Sequence, residues 1–195
     1  MIQEEFKFYK PCKLLQPYVR YYWVFNSSKM PNTYTFPIGC PQIIFHKCTP
    51  LFVPELGTMQ DKLTISGQVN FSSHLQADND IEMIVVVFYP HTINMFLNTP
   101  ASAFYNKEIS GYDIEDKHLN ELAMQVFECE DNNLCVTLIE KWLLSRLSTR
   151  PYDTAYRVNR MNVAIEQLCV APQTLVTELS STCCLEKKQF EREFY

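Results

Sequence analysis

From Ile2 to about Pro90 the chain alternates apolar and polar residues in short runs broken by turn signals, with no helix-length amphipathic stretch between them. Phe6 to Tyr9 reads as a first strand ended by Pro11. Tyr18 to Phe25 reads as a second, with Val19, Tyr21, Trp23 and Phe25 on one side and Tyr18, Arg20, Tyr22 and Val24 on the other. The first set is the one expected to point inward. Gln42 to His46, following a Pro37-Ile38-Gly39 turn, Leu51 to Pro54, Leu63 to Ser66 and Glu82 to Tyr89 supply further strands. A succession of short strands spaced by turns predicts a β-barrel or sandwich.

The period changes at His91. Pro100 separates two short helical pieces, and a helix pair follows: Ile114 to Glu128, with Leu119, Leu122 and Val126 in line, and Asn133 to Leu147, with Leu134, Leu138, Ile139, Trp142 and Leu143. The Glu130-Asp131-Asn132-Asn133 stretch joins them as a helical hairpin. The second helix is apolar over more than one stripe, which predicts two partners. The barrel is one expected partner, and a second copy of the chain, giving a homodimer through residues 133–147, is the other. Ser148 to Asp153 contains Pro151 and marks a domain boundary. Beyond it Val158, Met161, Ile165 and Leu168 recur at helical spacing. Pro172 is expected at a first helical position, and Leu175, Val176 and Leu179 as an apolar stripe. Last comes a charged helix in which Phe190 and Phe194 face one way and Lys188, Glu191 and Arg192 another.

This order gives an α+β chain in three parts: a β-barrel or sandwich over residues 1–112, a helical hairpin over 113–150, and an all-α segment over 151–195. An apolar fraction of 47% in 195 residues allows a sizeable core. The longest apolar run, Ile84 to Tyr89, is far too short to span a bilayer, and the acidic MIQEEF start is unlike a secretory signal. A cytoplasmic protein without membrane contact is therefore expected. The eight cysteines form no CxxC pair and no Cys/His zinc spacing, so reduced thiols are the simplest reading. The net charge of −5 argues against a basic nucleic-acid coat. From Arg157 onward the bases Arg157, Arg160, Lys187, Lys188 and Arg192 are balanced by Glu166, Glu178, Glu186, Glu191 and Glu193, so the net negative charge lies upstream.

The C-terminal run L-S-S-T-C-C-L-E-K-K-Q-F-E-R-E-F resembles the first helix-turn-helix of AraC/XylS-type transcriptional regulators, with Leu179, Leu185, Phe190, Arg192 and Phe194 at the family's apolar and basic positions. Two positions depart: Cys184 stands where the family usually has Gly, and Glu186 where it has a capping Ser. If residue 184 needs a left-handed backbone, the side chain there costs roughly 1–2 kcal/mol. Upstream, Leu15 to Trp23 (L-x-P-Y-V-x-x-Y-W), Pro37 to Phe45 (P-x-G-x-x-x-I-I-F) and Phe88 to Pro90 (F-x-P) resemble the cupin-like sensor domain of one AraC-like subgroup. The resemblance implies a sequence-specific DNA-binding regulator with an effector-sensing, dimerising N-terminal domain. It further implies a longer protein, since the family carries two such units and the sequence stops within the first. DNA binding is then expected of the complete C-terminal domain.

By that match Lys187, Lys188, Glu191 and Arg192 are candidate DNA contacts, Arg suiting guanine O6/N7 and Glu cytosine N4. The competing reading is a solvated helix face with intrahelical pairs such as Lys187 with Glu191. In the barrel, Tyr21, Trp23, Phe25, Phe36 and Phe45, with Gln42 and His46, are candidate pocket residues for a small effector. An aromatic stripe in strands also serves simply as core. A small-molecule-binding or metal-dependent barrel protein without DNA binding is the alternative, but His46, His74, His91 and His118 include no His-x-His pair, so no metal or cofactor is expected. No GxSxG elbow and no clustered glycines occur among the four present. No catalytic residue is assigned, and a non-enzymatic protein is expected.

Overall fold

The computed structural model describes residues 5–151 and 153–194, the side chains of Pro31 and Phe194 excepted. The chain divides into two compact units, Met1–Thr149 and Arg150–Tyr195.

The first unit is mixed α+β with two antiparallel sheets. Strands β1 (Glu5–Tyr9), β2 (Val19–Ser27), β4 (Gln42–His46), β7 (Leu63–Ser66), β9 (Ile81–Phe88) and β10 (Glu108–Ser110) form a six-stranded sheet in the order β1-β2-β9-β4-β7-β10. Strands β3 (Met30–Thr35), β5 (Phe52–Val53), β6 (Thr58–Met59) and β8 (Ser73–Ala77) form a second in the order β3-β8-β5-β6. The polar strands β3 and β8 and the short β6 and β10 carry no apolar alternation, and sequence periodicity misses them.

Register explains which side chains share a face. Tyr22 and Ile43 both pair with Val86, and Val24 and Phe45 both pair with Ile84. These residues therefore stand on one side of the sheet. Trp23 and Ile44 pair with Val85, while Phe25 and His46 pair with Met83, on the other side. Both sides of β9 are buried, which is why it reads as a nearly unbroken apolar run. The expectation that Tyr18, Tyr22 and Val24 face outward is corrected: all three are buried, and Arg20 is the exposed member of that set. Period two separates two interiors here, because helices cover the face that would otherwise be wet.

Those helices are α1 (Lys117–Glu128), which packs on β4, and α2 (Asn132–Ser148), which packs on α1. Asp116 begins α1 by accepting from the backbone N–H of His118 (3.0 Å) and Leu119 (3.1 Å). Arg146 of α2 reaches the same carboxylate. At the other edge of α2, Glu140 Oε1 accepts from the Cys12 backbone N–H at 2.8 Å, tying the helix to the segment after β1. Ile139, Trp142 and Leu143 are buried within the unit, whereas Leu134 is 50% exposed. Trp142 and Leu143, expected to meet a second copy, are thus covered by the chain itself.

The second unit holds α3 (Thr154–Val170), α4 (Val176–Thr182) and α5 (Lys187–Phe194). Met161 and Ala164 of α3 pack with Leu179, Cys183 and Phe190, and Leu168 and Leu185 close the edges. Two expectations change. Pro172 lies in the turn before α4 rather than at its first position, and Leu175 precedes the helix, 62% exposed, leaving Leu179 as the residue that anchors it. The expectation for the Phe194 side chain falls outside the described residues.

Candidate functional site

A cavity of about 300 Å³ opens between the two sheets of the first unit. Tyr21 and Trp23 of β2, Ile44 of β4 and Met83 and Val85 of β9 form one wall; Val53 of β5 and Leu75 of β8 form the other. Exposed Phe6, Phe8 and Phe36 lie at its rim. Phe6 stacks on Trp23 with ring centroids 5.8 Å apart, so β1 supplies an aromatic lip by pairing with β2.

The polar part of the cavity is a directed chain of side chains. Glu108, at the start of β10, is brought beside Ser66 by the pairing of β10 with β7. Gln60 Nε2 donates to Glu108 Oε2 at 2.8 Å, and its Oε1 lies 2.7 Å from buried His46 Nε2. Because one end of the Gln60 amide donates to a carboxylate, its oxygen must accept. His46 therefore carries its proton on Nε2. Burial lowers the His46 pKa to about 4 against the opposing pull of the Gln60 hydrogen bond, so the ring is neutral near pH 7. Burial raises the Glu108 pKa, and hydrogen bonds from Gln60 and Ser66 offset part of that rise. Two neutral donors, with no ion pair among the described residues, support this carboxylate.

Of the seven expected pocket residues, Tyr21, Trp23, Phe36 and Gln42 line the cavity, Phe36 at the rim with 72% exposure. Phe25 lies in the core cluster beside the cavity, and His46 reaches it through Gln60. The placement of Phe45 is corrected: its register with Ile84 turns it to the face under α1. Gln60 and Glu108 escaped the sequence reading because neither sits in an apolar alternation. They meet across 48 residues of chain. Among the described residues no group of three or more His, Cys, Asp or Glu could hold a metal ion, and no helix is long and apolar enough to cross a membrane.

In the second unit, α4 ends in a Schellman turn. The Leu185 N–H bonds to Ser180 O at 2.9 Å, and the Cys184 N–H to Ser181 O at 3.0 Å. Cys184 sits at φ +53°, the left-handed position that the Gly-to-Cys departure pointed to. The turn delivers α5 with Phe190 2% exposed and Lys187, Lys188 and Arg192 exposed. Lys187 Nζ and Glu191 Oε1 are 3.9 Å apart, the intrahelical pair of the solvated-face reading. Glu193 turns instead toward α3, where Arg160 donates to its Oε2 at 2.6 Å. That pairing takes one acid off the α5 surface and leaves Lys188 and Arg192 projecting from one side.

A family described as a domain of unknown function (DUF6597) matches residues 7–110. No curated protein matches the chain. Among solved structures the chain is similar to ToxT from Vibrio cholerae strain SCE256 with unsaturated fatty acid bound, at 11% identity and a TM-score of 0.30, covering 100% of this chain and 92% of that one. It is also similar to a second ToxT crystal form from Vibrio cholerae, at 10% identity and a TM-score of 0.29, covering 97% and 93%. Likeness at this level carries neither fold nor function across.

Proposed function

This chain belongs to the DUF6597 family, and we propose that its two-sheet unit is the ligand sensor of a cytoplasmic, non-enzymatic regulator whose C-terminal unit carries an AraC-type helix-turn-helix. The observation that carries the proposal is the α4–α5 pair. A Schellman turn at Cys184 sets α5 on a core of Met161, Leu179 and Phe190, with Lys188 and Arg192 outward at i and i+4. Together with the motif resemblance of residues 179–194, that arrangement supports a helix offered to a DNA groove. The cavity upstream supports a sensor, since its apolar walls and few polar groups suit a small effector. Binding there would act by favouring one association of two copies over another and so the spacing of their reading heads. With Trp142 and Leu143 covered, the proposed contact between copies uses the outward residues of α2, Leu134 first, and sedimentation of Leu134→Glu against the native chain tests it.

The decisive experiment selects binding sites from a random DNA pool with the full natural protein, native and Arg192→Ala, with and without ligand. The expected result is a motif for the native protein that loses its preference at particular base pairs in the variant, by about 1–3 kcal/mol each. Failure of the native protein to enrich any motif in either condition would overturn the reading.

A further inference from the structure

The cavity is unusual in its charge. Its lining holds the aromatic rings of Tyr21, Trp23 and Phe36, and among the described residues that line it Glu108 carries the one acidic side chain and no lysine or arginine is present. Gln60 cannot neutralise that carboxylate. Its Nε2 donates to Glu108 while its Oε1 is engaged by His46, so the acid is met by an uncharged amide that is itself held by a neutral imidazole. Glu108 is half-buried and lines the cavity. Arg20 bonds to Cys40 Sγ at 3.6 Å, yet its side chain is exposed and does not join the lining.

A carboxylate in a low-dielectric, aromatic-walled site, held by neutral donors alone, has the field of a cation site: the acid attracts positive charge, and ring faces add to it. Resting on the reading of this cavity as a ligand site, we propose that its ligand is an organic ammonium, with an apolar body between Trp23 and Leu75 and a cationic head against Glu108. A fatty or aromatic acid of the same size would set two carboxylates against each other. The Gln60–His46 link fixes the direction in which the acid presents its oxygens, making those two residues positioning groups.

Three probes that share one body separate the possibilities: 4-phenylbutylamine, 4-phenylbutan-1-ol and 4-phenylbutyrate, titrated calorimetrically into the whole protein at pH 7.5. The amine should bind about tenfold more tightly than the alcohol, the worth of one charge-assisted hydrogen bond, and the acid most weakly. Glu108→Gln should lower amine affinity by about tenfold while holding alcohol affinity within about threefold, which also shows that the variant is folded. Tightest binding by the acid, with loss on Arg20→Ala, would overturn the head-group assignment but keep the cavity as a ligand site. Equal amine binding by native protein and Glu108→Gln would overturn it too. Binding of none of the three would remove the cavity's role as a sensor along with the proposal.

Discussion

His46 Nε2 lies 2.7 Å from Gln60 Oε1, inside the first unit and away from bulk water. The imidazole there has a pKa of about 4, below the ordinary value of 6.5, because burial disfavours its charged form. The unfolded chain therefore binds more protons than the folded one between those values. Stability from this site is complete above pH 6.5 and is lost as the pH falls toward 4. Glu108, whose pKa is raised by burial, acts in the opposite sense above the ordinary value of 4.5, so the whole-protein curve mixes the two. Comparison with His46→Gln isolates the first. The stability advantage of the native chain should shrink by up to roughly 1.4 kcal/mol per pH unit across that window, read by urea unfolding, and a parallel pair of curves would refute it.

Asp116 has two duties, capping α1 and pairing with Arg146 of α2. Asp116→Asn keeps an acceptor for the His118 and Leu119 amides but loses the charge, so it should cost about 1 kcal/mol. Asp116→Ala removes both functions and should cost about 2 kcal/mol. Equal losses in the two variants, measured by chemical denaturation, would mean that the cap contributes nothing.

At Gly67, which lines the cavity, an added Cβ would stand 1.8 Å from the Phe104 carbonyl oxygen, a backbone atom that cannot swing aside. Gly67→Ala should destabilise the first unit by about 3 kcal/mol. Ser66→Ala, one residue earlier, loses only a donor to Glu108 and should cost about 1 kcal/mol. Thermal unfolding of both variants against the native protein checks the contrast.

Cys184 holds a left-handed backbone at φ +53° in the turn between α4 and α5. Replacing it with Gly relieves the contact between Cβ and carbonyl and should stabilise the second unit by about 1 kcal/mol. Cys184→Ala keeps the Cβ and should give no gain. If both substitutions behave alike in hydrogen exchange of the α5 amides, the strain argument is wrong.

Residue order alone determined the mixed α+β plan, the strands whose apolar residues alternate (Gln42–His46, Leu63–Ser66) and the helix pair, since each depends on neighbours a few positions apart; the left-handed backbone at Cys184 is pointed to only by the family resemblance. Residue order left unsettled what lies against each face. Period two shows that Trp23 and Tyr22 point in opposite directions, yet only the packing of α1 on β4 makes both sides interior and hides Phe45 from the cavity. Gln60 and Glu108 are a stronger case: two polar residues in unremarkable local sequence, joined at 2.8 Å after the chain has turned back on itself. Local spacing sets the relative directions of side chains, whereas burial and charge environment are set by contacts between distant segments, and the chemistry of the cavity depends on those.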